Sequence, residues 1–174
     1  MKPSISRLTI TRFLLPILPI LPILIATGMY AVAITTVNAQ PNISINGNIS
    51  PAKTGRGRTV KATVVIDIPH GYHVHSNRPL EKFLIATKLD VEAPKGIRVG
   101  PVTYPRALLR NFKFSKNRVA VYEGRVVMRF NVTVPPDFAG GSAEIKAKVR
   151  LQSCNDEVCF PPQTKETKLW LTVQ

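Results

Sequence analysis

Only two cysteines, Cys154 and Cys159, occur in 174 residues, too few for a disulfide framework. Acids are scarce as well: ten Asp and Glu stand against 24 Lys and Arg, a formal charge of +14. No paired-carboxylate spacing, no Gly-x-Ser-x-Gly elbow and no glycine-rich phosphate loop is present. Hydrolase and nucleotide chemistry therefore have nothing specific to rest on. Beyond residue 39 no run carries the helical period, and Met128 is the only methionine there, so thioether ligands for a soft metal are thin.

The chain opens with Lys2, Arg7 and Arg12 and continues into an apolar run from Phe13 to about Val37, punctuated by Pro16, Pro19 and Pro22. It ends in Val37-Asn38-Ala39. A basic start, an apolar middle and small residues before a cut describe a secretory signal, expected over 1–39 with cleavage after Ala39. The alternative is an uncleaved anchor, because the run is long enough to span a bilayer. No cysteine lies near residue 39, which excludes a lipid-modified N-terminal cysteine. Only three of the basic residues lie in this leader, so residues 40–174 stay strongly basic. For an exported domain that charge points away from nucleic acid and toward an acidic protein surface, anionic lipid, or simple solubility. Export to the periplasm or beyond also lets a disulfide form and persist.

Residues 40–174 are expected to form one domain, made of short strands broken by Pro and Gly. Ile43, Ile45 and Ile49 suit an edge strand; Thr59 to Ile68 is the first strong strand, and Tyr72 to His75 starts another. Ile85, Thr87, Leu89 and Val91 alternate with polar or small residues, and Val126, Met128, Phe130, Val132 and Val134 alternate with Arg125, Val127, Arg129, Asn131 and Thr133. Ala143 to Gln152 alternates strictly, and Leu169, Leu171 and Val173 are in phase in the last strand. Such a series predicts an all-β fold, a β-sandwich.

Between the last two strands stands Cys154-Asn155-Asp156-Glu157-Val158-Cys159-Phe160-Pro161-Pro162, with turn chemistry between the cysteines. A strand–loop–strand corner would bring the two Cα atoms to the roughly 5.5–6 Å of a disulfide. A bridge closing about six residues stabilises by only about 2 kcal/mol, against about 4.7 for a hundred-residue loop. That is a poor position for a staple, and short exposed bridges are the labile ones. Continuing the alternation of the preceding strand puts Cys154 on the outward phase. A redox pair is the leading reading; a plain structural bridge and a metal site are the alternatives.

Cys-x4-Cys followed by aromatic-Pro-Pro-x-Thr-Lys and an apolar strand resembles the amino-terminal periplasmic domain of the thiol:disulfide interchange protein DsbD family. Gly71-Tyr72-His73-Val74-His75, Tyr104-Pro105 and Val121-Tyr122-Glu123-Gly124 fit the same family in the same order. The resemblance covers roughly residues 43–174. It implies an immunoglobulin-like sandwich and a thiol–disulfide exchange domain, an oxidoreductase module that passes reducing equivalents through Cys154 and Cys159. Attack on the partner then falls to Cys159 and resolution to Cys154. Its partners would be periplasmic thioredoxin-like or other disulfide-bearing proteins, with a membrane reductase in trans as electron donor and no organic cofactor.

The same family places an aromatic cap loop near the cysteines. Tyr104 to Arg118 matches its position, with Phe112 or Phe114 as the aromatic. The acidic neighbours of that aromatic in the family are replaced here by Asn111, Lys113 and Lys116, which puts carboxylate-assisted proton transfer in doubt. Tyr72 keeps the family's aromatic near the disulfide, while His75 replaces a second one and is a candidate proton acceptor. His70, His73 and His75 cluster in sequence, but His-x2-His-x-His matches no tight metal signature, and no metal is expected. The contrasting class is a non-enzymatic interaction module held by a structural bridge, with the basic loop as its binding surface.

Overall fold

A strand with one face in the core and one in water must alternate apolar and polar residues, and each strongly alternating run of this chain is a strand. A computed structural model describes residues 40–174; the expected leader lies outside the described residues. In chain order the strands are β1 (Ser44–Ser50), β2 (Lys53–Thr54), β3 (Thr59–Asp67), β4 (His73–His75), β5 (Lys88–Glu92) and β6 (Arg98–Val99). There follow β7 (Leu108–Arg110), β8 (Val119–Tyr122), β9 (Arg125–Thr133), β10 (Gly141–Leu151), β11 (Ser153–Cys154) and β12 (Gln163–Val173). Among the described residues every element is a strand.

Two four-stranded sheets, ordered β1-β3-β9-β6 and β2-β12-β10-β5, form an immunoglobulin-like β-sandwich. Their inward residues share one core: Val64 and Ile66 of β3, Met128 and Phe130 of β9, Ile145 and Val149 of β10, and Leu169 and Leu171 of β12. Alternation sends Glu144, Lys146 and Lys148 outward from β10. There Lys148 pairs with Glu92 of β5 at 2.8 Å and Lys168 of β12 with Glu144 at 3.0 Å. The edge strand expected around Ile43 to Ile49 is β1.

A third sheet, ordered β11-β4-β8-β7, carries the site. It accounts for three departures from the sequence reading. The strand expected from Ile85 begins only at Lys88, because Ile85 and Thr87 hold β4 instead. The Ile85 carbonyl meets His75 Nδ1 at 3.2 Å, and the Thr87 hydroxyl donates to the His75 carbonyl at 2.6 Å. The stretch 104–118 is not one long loop, since it contains β7, which pairs with β8 from Leu108↔Val121 to Arg110↔Val119. The chain also leaves β10 at Gln152 and joins a different sheet as β11. The alternation of β10 therefore does not run on to Cys154, which is fully buried rather than outward-facing.

Gly47 of β1 packs closely against Leu169 and Thr167 of β12. A Cβ there would stand 2.8 Å from Leu169 Cγ and 3.0 Å from Thr167 Cγ2. Leu169 is buried and has little freedom to yield. Gly47→Ala is expected to destabilise the domain by about 1–3 kcal/mol, read as a lower urea midpoint. The loss should shrink when Leu169→Ala is combined with it. An unchanged midpoint in the single variant would mean that β1 does not sit this close to β12.

Candidate redox site

The site begins with a tight hairpin. Asn155 N–H donates to the Val158 carbonyl (3.0 Å) and Phe160 N–H to the Ser153 carbonyl (2.8 Å). The Asn155 side-chain oxygen accepts from the Glu157 and Val158 amides at 2.9 and 2.8 Å, the local turn chemistry expected of Asn. Gln152 clamps the base by donating to the Phe160 carbonyl at 3.0 Å. Cys154 and Cys159 are thus opposite one another in a pair without mutual backbone hydrogen bonds, the closer type of antiparallel pair. They are joined as a disulfide with Cα atoms 4.0 Å apart, nearer than the corner geometry expected from the sequence. The two sulfurs differ in environment, as Cys154 is buried and Cys159 exposed.

Strand register supplies the surroundings. Cys154 pairs with His73 and Ser153 with Val74. Residues directly opposite share a face, and so do residues two apart in a strand. His73 and His75 consequently line the face that Cys154 occupies. His75 Nε2 lies 3.6 Å from Cys154 Sγ. Its Nδ1 faces a carbonyl, which only accepts, so Nδ1 carries the proton and Nε2 presents a lone pair to the sulfur. Burial lowers the His75 pKa; burial, then the neighbouring His75, lowers that of His73 to about 4 despite Glu123 and Asp156. Both rings are neutral at pH 7.

The cap is seated on the histidines. Phe112 stacks on His73 with ring centroids 4.0 Å apart, and Phe114 stacks on Phe112 at 5.2 Å. Both rings pack against Leu84, Val119 and Val121. The arch is tied at its base by Arg110, whose guanidinium grips Glu123 at 2.9 and 3.0 Å. Asn117 donates to Glu81 at 2.7 Å, and Lys113 reaches Glu157 of the cysteine hairpin at 3.9 Å. The cap leaves Cys159 exposed. Beside it opens a cleft of about 450 Å³ whose walls include Tyr72, His73, Phe112, Glu123 and Asp156. Carboxylates missing from the cap's own sequence thus stand in the adjacent wall. Tyr72 also lies 6.0 Å from the ring of Phe160.

Residues 46–170 match the family described as "Thiol:disulfide interchange protein DsbD, N-terminal". The chain belongs to the DsbD N-terminal domain family. It is a thiol–disulfide exchange domain that passes reducing equivalents through the Cys154/Cys159 pair. Among solved structures it is similar to the Neisseria meningitidis DsbD N-terminal domain in the reduced form, at 20% identity over 64% of this chain and 77% of that one, TM-score 0.42. A second is the N-terminal periplasmic domain of ScsB from Proteus mirabilis, at 13% identity over 79% of this chain and 49% of that one, TM-score 0.50. A third is the complex between the DsbD N-terminal and PilB N-terminal domains of N. meningitidis, at 16% identity over 62% and 73%, TM-score 0.43. No curated protein sequence matches the chain.

The other motifs of this DsbD N-terminal-family domain are framework. The Tyr104 hydroxyl accepts the Leu89 amide at 2.8 Å, and the Tyr122 hydroxyl donates to Asn77 at 2.6 Å. Gly71 and Gly124 turn the chain with φ of 81° and 60°, open to glycine and costly for other residues. Of the residues singled out from sequence, Cys154, Cys159 and His75 meet at the sulfur pair, Phe112 and Phe114 form the cap, and Tyr72 lines the cleft. His73, which the sequence offered only as part of the histidine cluster and not for the redox pair, sits between cap and cysteines. The signal for it was its two-residue spacing from His75 in a short strand. His70, the third histidine of the cluster, lies outside β4 and lines the cleft.

Phe112→Ala removes the ring stacked on His73, an aromatic contact worth about 0.5–1.5 kcal/mol beyond buried area. The variant should show a lower denaturation midpoint and faster reduction of Cys154–Cys159 by dithiothreitol. Wild-type values for both would show that the ring does not shield this side of the pair.

Proposed function

We propose that the domain works outside the cytoplasm as a reductant of disulfide-bearing, thioredoxin-like partners, with Cys159 as the attacking thiol and Cys154 as the resolving one. The observation that carries this reading is the asymmetry of the bridge, one cysteine exposed and the other buried beside a histidine. In the reduced domain the Cys159 thiolate attacks a partner sulfur. The partner's S–S bond breaks, a mixed disulfide forms, and the released partner thiolate takes a proton. Cys154 then attacks Cys159 Sγ, closing the Cys154–Cys159 bridge and expelling the second partner thiolate. Two electrons and two protons have passed to the partner. The bridged form is the product state, and a dithiol donor such as a membrane reductase in trans must restore the two thiols.

His75 supports the second step. Its Nε2 lone pair faces the Cys154 sulfur and can take the thiol proton as Cys154 becomes nucleophilic. The cap serves as a shield over the buried half of the pair and moves when a partner settles over Cys159. Phe112 and Phe114 leave their stack with His73, and the Lys113–Glu157 contact, between two exposed side chains, offers little resistance.

Three measurements test this. Cys154→Ser should accumulate a mixed disulfide through Cys159 when mixed with an oxidised thioredoxin-like protein, and Cys159→Ser should not; the reverse pattern would exchange the roles. The wild-type pair should have a reduction potential within the roughly −180 to −270 mV of exchange proteins, whereas a value below about −300 mV would mark a structural bridge. His75→Phe should slow resolution about tenfold or more while leaving attack by Cys159 intact, and wild-type resolution would remove His75 from the mechanism.

A further inference from the structure

Exchange chemistry needs two sulfurs and, for its proton, one histidine. The structure provides a second histidine that this chemistry does not use. His73 is buried, and its Nε2 has no hydrogen-bond partner. Leaving a buried polar atom unpaired costs roughly 1–3 kcal/mol, so such an atom in a native site calls for a partner. One ring nitrogen each of His73 and His75 and the sulfur of Cys154 all lie within 4.8 Å of one another, and all three residues are buried.

We propose that the reduced domain holds a d10 metal ion, Zn2+ in the first instance, on Cys154, Cys159, His73 and His75. Zinc bonds sulfur at about 2.3 Å and imidazole nitrogen at about 2.0–2.1 Å, which sets tetrahedral donors roughly 3.3–3.8 Å apart. His75 Nε2 and Cys154 Sγ already stand at 3.6 Å. His75 is also held as a ligand histidine is held, with Nδ1–H on the Ile85 carbonyl and Nε2 facing inward. Cys159 stands outside that cluster while bonded to Cys154, and its sulfur supplies the fourth donor once the bridge opens. Two thiolates and two imidazoles are a donor set for tetrahedral zinc. Phe112 and Phe114 roof the histidine side and exclude water from it.

Occupancy is tied to redox state. A dithiol donor delivers two electrons and two protons to the bridge, leaves as a disulfide, and gives two thiols on the domain. Zinc then displaces those two protons and bonds both sulfurs. The bridged pair has no thiolate to offer, so oxidation expels the ion. A zinc-bound Cys159 is also withheld from attack, so the ion protects the dithiol in the absence of a partner.

The test uses the purified protein reduced with a phosphine, which converts the bridge to thiols and is itself oxidised, and does not compete for zinc as a dithiol would. Titration against a chromophoric chelator should show one Zn2+ per reduced chain and none bound at this site by the oxidised chain. Co2+ in place of zinc should give thiolate-to-cobalt charge transfer and the intense visible bands of a tetrahedral site. His73→Ala and His75→Ala should each weaken zinc binding by about 100-fold or more, above the roughly 10–100-fold loss on removing a second-shell partner. The proposal is overturned if the reduced chain binds no more tightly than the oxidised one, or if the double His variant binds as well as wild type. Should the His variants misfold, the cobalt spectrum of the unmutated protein decides, because a six-coordinate spectrum excludes the four-ligand site. Partner exchange by the metal-free protein is measured separately, so failure of one reading leaves the other standing.

Discussion

The pairing of Cys154 with His73 is the constraint on which the site depends. It exists because the chain quits β10 at Gln152 and crosses to another sheet for two residues before the hairpin turns back. Without that crossing the cysteines would cap an ordinary β10–β12 hairpin, with neither sulfur buried and no histidine in reach. The crossing is affordable because β10 and β12 pair without interruption from Gly141↔Val173 to Leu151↔Gln163. Eleven paired residues fix both ends of the excursion, so the hairpin of 152–162 is presented from a rigid base. A functional group held this way loses little entropy when it engages a partner.

Burial then separates two sulfurs that the sequence leaves equivalent. A sulfur with no exposure cannot be the first contact of a macromolecular disulfide, and an exposed one can. The same burial keeps His73 and His75 neutral, because desolvation disfavours the charged ring. A neutral imidazole beside a thiol is a base for one reaction and a ligand for another, and both need a lone pair on Nε2. The hydrogen bond from His75 Nδ1 to Ile85 fixes that lone pair in place. The residues that forgo strand pairing at Ile85 to Thr87 therefore set the orientation of the ring beside Cys154 Sγ.

Most of the sandwich was legible because period-two alternation reports burial directly. Ala143 to Leu151 alternates strictly and Val126 to Thr133 does so except at Val127, and each lies in a core strand. The cysteine hairpin was legible from its turn residues, and the clustering of His73 and His75 from their spacing. The burial of Cys154 was not, since alternation is a property within one strand and carries no information once the chain changes sheets. Strand β7 was hidden for a related reason. Its three residues are all exposed and show no alternation, and only pairing with β8 makes them a strand. The asymmetry between the two sulfurs and the closeness of His75 to Cys154 are products of long-range register, so no local signal announces them.

Charge sets the cap apart from the hairpin it covers. Arg110, Lys113, Lys116 and Arg118 surround the two phenylalanines, whereas Asp156 and Glu157 form the tip of the cysteine loop. The one ion pair between them, Lys113 with Glu157, is long and solvent-exposed, and such pairs contribute at most about 1 kcal/mol. The aromatic stack on His73 holds the cap more firmly than this attraction does. A partner that offers its own apolar surface to Phe112 and Phe114 can replace that stack with an equivalent contact and lift the cap at little net cost. A small thiol, with no such surface, must meet the site with the cap closed and Cys159 as the accessible sulfur.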